Sequence, residues 1–400
     1  MVIENLTWLL EKVSEYAFAS FSSWASFTTA MGKVAGSLTD FDSPLAWPYL
    51  LASLAIAGGV FVCAGEKDAT RPRSFGAFLL PRHVYLHSSA ILDYKFYASN
   101  LFLTFLFWVP IIIGINIVGY KLMSAVIIKF LSWEPPATLS TGQALGAAFG
   151  LFVLHDFINY WAHVLLHKSP ALWAFHRVHH SAQVLTPFTA FRAHPIELFL
   201  PALLQMPVIG LAAVFFQNVP ARDMGVTTIC GIGLFTFITG LFGHQLRHSH
   251  VWLSFGPVLS RLYISPAQHQ IHHSTDRRHL DKNFGVRFAV WDAMFGTLYV
   301  PKERETLNVG LPNADLREFK TVTQLYVLPF ARALREGKKA ALPLGRYKDS
   351  HANSMSEGPS GTCSPERAHG DGDLRGRPVS FRAAGKWVAL VPRNSVTRDF

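Results

Sequence analysis

Five stretches of this chain are long and apolar: residues 45–64, 101–120, 143–160, 198–216 and 224–243. An α-helix rises about 1.5 Å per residue, so about 20 mostly apolar residues cross the hydrocarbon layer of a bilayer. Backbone groups in that layer must be satisfied within the segment itself, which leaves helices as the simplest solution for runs of this length. The expected fold class is therefore all-α, a multi-pass membrane bundle of about 4 to 6 spans. Residues 121–133 extend the second run as a bent or interfacial helix, and Pro201 and Pro207 are placed to kink the fourth.

Charge orients these spans. The segment after the first run carries Lys67, Arg71, Arg73, Arg82 and Lys95, whereas only Lys121 and Lys129 flank the loop between the second and third. The more cationic segment is expected on the cytoplasmic side. The net charge of +10 then serves topology: there is no zinc finger and no basic stripe with interleaved aromatics, and no nucleic-acid partner is expected. Cys63, Cys230 and Cys363 are too few and too scattered for a disulfide framework or a CxxC site. The opening MVIENLTWLLEKVSEY has Glu4, Glu11 and Glu15 where a secretory signal would be basic, and reads as a short amphipathic helix. The division that follows is a peripheral amphipathic segment over 1–44, a membrane domain over 45–300, a C-terminal extension over 301–344 with an amphipathic helix at 321–335, and a disordered tail over 345–400.

Ten histidines stand in four short motifs: HxxxH at His163 and His167, HxxHH at His176, His179 and His180, HxxxH at His244 and His248, and HxxHH at His269, His272 and His273. Side chains three or four apart share a helix face, so each motif aims two or three imidazoles one way. Span parity carries all four motifs to the cytoplasmic face, as a histidine-rich cap on the bundle. Imidazole suits iron, zinc, copper or nickel, and ten ligands are too many for one ion. The economical reading is a two-metal site with about five ligands per ion and a position open for substrate or O2.

Other chemistries fit less well. There is no HExxH, no GxSxG elbow, no P-loop and no ExxH pair, and Gly231 and Gly233 form only a broken glycine pattern inside an apolar run. A non-catalytic metal-binding or transport protein would need a polar path through the bilayer, yet the runs hold few ionisable groups besides His155 and Asp156. A zinc-dependent membrane hydrolase using the same ligands is a third reading, distinguished by metal content.

Between residues 81 and 301 the chain resembles the fatty acid hydroxylase superfamily, the membrane di-iron group that includes sterol desaturases and lipid hydroxylases. The resemblance rests on PRHVYLHSSAILDYKFYASN, HDFINYWAHVLLH, HRVHHSAQVLTPFTAFRAHPIE and SPAQHQIHHSTDRRHLDKNFGVRFAVWDAMFGTLY. It implies two iron ions on the ten motif histidines, with no further catalytic residue required. It also implies O2 as co-substrate, electrons from a separate reductase or carrier, and a membrane lipid hydroxylated or desaturated at an unactivated C–H bond. Asp156, Asp281 and Asp292 match acidic positions of the family pattern, and with Tyr160 and Asn283 are expected to support the ligands. Val164 departs from the HRxxH form of many relatives, which removes a charge but no ligand. His155, off the ligand stripe, and His194, in an HPxE turn, are further candidates. His250 and His279 lie nearby; His83, His87, His351 and His369 are set aside.

Overall fold

Ser140 and Gln143 start the helix that carries the first histidine pair. The Ser140 hydroxyl accepts from the Gln143 amide and Gln143 Oε1 accepts from the Ser140 amide, a reciprocal cap that fixes the helix register. The protein is described by a computed structural model over residues 15, 18–36, 46–63, 72–127, 129, 139–216, 228–229, 232–311 and 318–341. The expected N-terminal amphipathic helix, except Glu15, and the tail 345–400 lie outside these residues.

The principal helices are α1 (Trp24–Gly36), α2 (Trp47–Cys63), α3 (Ser88–Val126), α4 (Thr141–Lys168), α5 (Pro170–His180), α6 (Phe199–Phe216), α7 (Leu234–Gly240), α8 (Pro266–His272), α9 (Val290–Phe295) and α10 (Val322–Ala341). Short helical turns join several of them, and the extended structure among the described residues is limited to two two-residue strands and two isolated bridges. Three helical stretches in the described residues are long and apolar enough to span a bilayer: Ser88–Val126, Thr141–Lys168 and Pro195–Ala212; α2 is a shorter apolar helix. The fifth apolar run departs from the expected span. Its described part is the antiparallel pair Thr228–Ile229 and Ile232–Gly233 followed by the seven-residue α7. Thr227, Thr228 and Ile229 are β-branched and glycines follow at 231 and 233, so helix propensity is low where the run needed it.

Pro110 lies just inside the second half of α3. It has no N–H for the preceding turn, and α3 takes a π-helical turn over Thr104–Trp108. α6 keeps Pro207 within its helix. α3 and α6 meet at glycines: a Cβ at Gly210 would stand 2.6 Å from the Gly119 carbonyl oxygen, and one at Gly119 2.8 Å from that of Met206. Small residues let these backbones approach.

Two further contacts position the cap. Leu92 and Phe96 of α3, Val178 of α5, Leu325 of α10, and Leu311 and Phe319 from the segments before α10 form one buried apolar cluster. Arg192, 1 % exposed, ties the same region together by donating to the Asp93 carboxylate at 2.8 Å and, through Nε, to the Val178 carbonyl at 3.2 Å. Thr189 also donates to Asp93, at 2.7 Å. Val178 lies between His176 and His179, so this buried ion pair fixes the backbone of the HxxHH helix.

Candidate metal centre

The motif helices converge so that nine of the ten expected histidines form two groups. His163 and His167 of α4, His176 and His180 of α5 and His272 of α8 form the first; His179, His248, His269 and His273 form the second, the ring nitrogens of each group lying within 4.8 Å of one another. The two HxxHH motifs are used reciprocally. In α5 the outer pair, His176 and His180, enters the first group and His179 the second, whereas in α8 the outer pair, His269 and His273, enters the second and His272 the first. Helical geometry explains the split: residues four apart lie about 40° apart around the axis, while the residue between them in HxxHH is turned about 60° the other way. Each motif thus serves two neighbouring points from one helix.

α8 is short and depends on its start. Ser265 and Gln268 form a second reciprocal cap, and Pro266 supplies the fixed φ of a first helical residue. His248 comes from the 3-10 turn His244–His248, which Leu246 anchors to α2 through a cluster with Ala57 and Val251.

The donor atoms fit a bound cation. His248 Nε2 stands 3.2 Å from His179 Nε2, 2.9 Å from His269 Nε2 and 3.2 Å from His273 Nε2. Neutral imidazoles cannot satisfy four such converging nitrogens by sharing protons. Nitrogens bound about 2.0–2.1 Å from one ion at octahedral to tetrahedral angles would be separated by about 2.9–3.4 Å, which matches. In the first group the buried Nε2 atoms of His167, His176, His180 and His272 have no hydrogen-bond partner. Three Nδ1 atoms are committed elsewhere: His163 donates to the Phe284 carbonyl at 2.8 Å, His176 to Glu197 Oε2 at 2.6 Å and His272 to the Lys282 carbonyl at 2.9 Å. Those bonds select the tautomer whose Nε2 lone pair faces the group.

Burial, reinforced by the neighbouring rings, holds His180, His248, His269, His272 and His273 well below the ordinary histidine range. Burial likewise lowers His179 to about 3, with smaller contributions from His163 and Arg192. Neutral imidazole is the form that offers a lone pair to a metal.

His244 is not brought into either group. It lines a cavity of roughly 350 Å³ that also reaches His163, His176, His179, His248 and His269. His155 lies outside both groups as well. His194 caps the turn Pro195–Leu198, accepting from the Ile196 amide through Nδ1 and donating to the Tyr326 carbonyl through Nε2, so its ring is committed to the fold. His250 donates to the Phe78 carbonyl and His279 to Glu305.

The expected supporting residues act at one remove. Asp156 accepts from the Phe288 amide and the Trp291 indole, each at 3.0 Å. Asp292 accepts from the amides of Phe284 and Gly285 and from Thr297, and so holds the loop whose Phe284 carbonyl receives His163. Tyr160 pairs with Thr297 at 3.1 Å. Asn283, with φ 57°, bridges the Gln268 carbonyl and the Tyr299 amide. Asp281, with φ 59°, forms an exposed ion pair with Lys168. None of the five has a hydrogen bond to a motif histidine among the described residues. Glu197, which does, was not anticipated; the HPxE pattern was its only sequence signal, read there for His194.

Residues 148–297 match the fatty acid hydroxylase family model. An ornithine lipid hydroxylase of Rhizobium tropici is 31% identical over 201 residues, 49% of this chain and 55% of the relative. Human alkylglycerol monooxygenase is 26% identical over 182 residues, covering 46% and 35%, and a Delta(7)-sterol 5(6)-desaturase of Gibberella zeae is 30% identical over 156 residues, covering 39% and 38%. The chain thus spans about half or less of the length of these relatives. No solved structure matches. The four histidine motifs all lie inside the matched region, and it is over residues 148–297 that the chain is similar to the fatty acid hydroxylase family.

Proposed function

We propose that this chain is a membrane oxidoreductase that uses O2 to oxidise an unactivated C–H bond of a membrane lipid, by hydroxylation or desaturation. The carrying observation is the pair of histidine groups, buried or half-buried, with converging lone-pair nitrogens beside a cavity that Ala162, Leu166, Phe191 and Pro201 wall on its apolar part. Relatives named as a lipid hydroxylase, an alkylglycerol monooxygenase and a sterol desaturase support lipid oxidation. Two iron ions are the proposed metals, one held by His163, His167, His176, His180 and His272, the other by His179, His248, His269 and His273. When bound, they would supply the O2-dependent redox chemistry, with electrons from a separate reductase or carrier.

The protein's own contribution is positional. Glu197 and the carbonyls of Phe284 and Lys282 orient three rings. Ala162, Leu166, Phe191 and Pro201 give the cavity an apolar wall that disfavours bulk water. We take Ser88–Val126, Thr141–Lys168 and Pro195–Ala212 as spans, with Trp47–Cys63 as a fourth, and the cap as cytoplasmic on the charge bias described above. The working division remains 1–44, 45–300, 301–344 and 345–400, with α10 of the third part packed into the cap.

Metal analysis of the purified protein, combined with lipid mass spectrometry under labelled O2, tests the reading. Two irons per chain and a host lipid that gains labelled oxygen or loses two hydrogens are expected. Zinc in their place, or bound iron that consumes no O2 after reduction, would overturn it.

A further inference from the structure

The amphipathic helix expected at 321–335 is α10, and one of its faces takes no part in the packing described above. Leu325 is fully buried against α3 and α5, with Val322, Tyr326 and Leu328 packed beside it. Val327, Phe330 and Leu334, in contrast, are 58 %, 48 % and 67 % exposed. At about 100° per residue these three fall within a sector of about 60°, with Leu334 opposite Leu325. A helix that is apolar on two sides needs an apolar neighbour on both.

The level of α10 relative to a bilayer follows from the spans it touches. α3 runs for 39 residues, about 58 Å, and only about 30 Å of it can lie in hydrocarbon. Its apolar run begins at residue 101, whereas Asp93, Lys95, Ser99 and Asn100 stand in the part before it. α10 meets that boundary: the Tyr326 hydroxyl donates to Asn100 Oδ1 at 2.6 Å and pairs with Ser99 at 2.9 Å. A second span gives the same level. The Tyr326 carbonyl accepts from His194 Nε2 at 3.1 Å, and the Phe330 ring lies 5.4 Å from that of His194, the residue directly before Pro195–Ala212. Two spans thus set Tyr326 and Phe330 at the rim of the hydrocarbon layer, the depth that aromatic side chains favour.

We propose that α10 is an interfacial helix whose Val327, Phe330 and Leu334 enter the upper acyl region of a bilayer rich in anionic phospholipid. This rests on the spans taken above. The charge of the helix favours that surface, since its sequence holds Arg332, Arg335, Lys338 and Lys339 against Glu336 alone. Docked in this way, α10 braces the cavity against the bilayer: Asn100, which Tyr326 holds, donates from Nδ2 at 3.2 Å to the carbonyl of Ala193, a residue of the cavity wall.

Bimane fluorescence of the full chain in lipid nanodiscs tests this, with Cys63, Cys230 and Cys363 replaced by serine and one labelled cysteine introduced at a time. Val327→Cys and Leu334→Cys report the stripe, and both positions are exposed. Phe102→Cys, exposed in the apolar part of α3, supplies the lipid-facing reference. In discs of phosphatidylcholine and phosphatidylglycerol in equal parts, a lipid nitroxide near the top of the acyl chain is expected to quench both stripe labels by about half or more, and aqueous iodide to leave them nearly unchanged. Nitroxide quenching should fall in pure phosphatidylcholine, which lacks the anionic attraction.

Iodide quenching of the stripe labels without nitroxide quenching leaves the stripe in water and overturns the proposal. Protection from both quenchers also overturns it, by placing another protein surface, from this chain or a second copy, over the stripe. Equal nitroxide quenching with and without phosphatidylglycerol overturns the anionic preference. Should one label lower the melting temperature, the other decides. If the Phe102 label itself escapes the nitroxide, the membrane reading of α3 fails and this proposal falls with it.

Discussion

Glu197 is the one carboxylate bonded to a motif histidine among the described residues, and its 2.6 Å contact fixes His176 with Nε2 facing the first group. Its other oxygen accepts from the His194 amide, so the carboxylate cannot swing away without breaking the turn that holds it. Glu197→Gln should weaken metal binding at the first group by about 10–100-fold and leave the second unchanged, as read by competition with a chelator of known affinity. Equal weakening at both groups would contradict the assignment. A sharper division comes from single ligand losses. His167→Ala and His179→Ala strike different groups, so each is expected to cut bound iron from two to one per chain and abolish turnover. Identical loss of both ions from either variant would instead mean that the groups fill as one unit. Motif spacing located nine of these histidines because HxxxH and HxxHH depend only on helix periodicity. His244 satisfied the same spacing and falls outside the groups because its turn is 3-10, where residues three apart eclipse and residues four apart do not. The supports of His163 and His272 were illegible for another reason: they are backbone carbonyls, which any residue supplies.

At the level of elements, the contacts that hold the cap over the spans are few and specific. Arg192 and Asp93 are both about 1 % exposed and bind each other, and Arg192 reaches Val178 inside the HxxHH helix. Arg192→Met would leave a buried carboxylate unpaired, at a cost of about 3–5 kcal/mol. Thermal or denaturant melting should show that loss, and Asp93→Asn combined with Arg192→Met should recover part of it, because the uncompensated charge is gone. Where α3 meets α6, Gly210→Ala would push a Cβ to 2.6 Å from the Gly119 carbonyl oxygen, and about 1–3 kcal/mol of destabilisation is expected from overpacking. The apolar runs made the long helices readable in outline. Their extent was less readable: α3 starts at Ser88, well before the apolar run at 101, because its first turns are buried by α5 and α10 through Leu92 and Phe96. The fifth run had span-like hydropathy, but its β-branched residues and glycines prevailed over length.

Across the whole molecule, the histidine groups join the consecutive helices α4 and α5 to the turn His244–His248 and α8, which lie far along the sequence from them. A cation bound there closes long loops and favours the folded cap over any state in which those segments separate, since an unfolded chain offers no preformed site. The nine imidazoles, buried or half-buried, would otherwise face one another across short distances with unsatisfied nitrogens, several of them already without partners. Metal and fold should therefore be strongly linked. At a free metal concentration about 1,000 times Kd, binding stabilises a site by about 4 kcal/mol, and two sites act together. Stripping the purified protein with a chelator should lower its Tm by at least about 5 °C. Re-addition of ferrous iron should restore it in proportion to occupancy. The spans give an internal control, because their backbone bonds are satisfied within each helix whether or not metal is present. Protease accessibility is expected to rise in the segments between Lys168 and Pro195 and between Gly240 and Tyr299, and to stay unchanged within Thr141–Lys168. Equal protection of the cap with and without metal would show that its apolar clusters suffice, leaving the ions a purely chemical role.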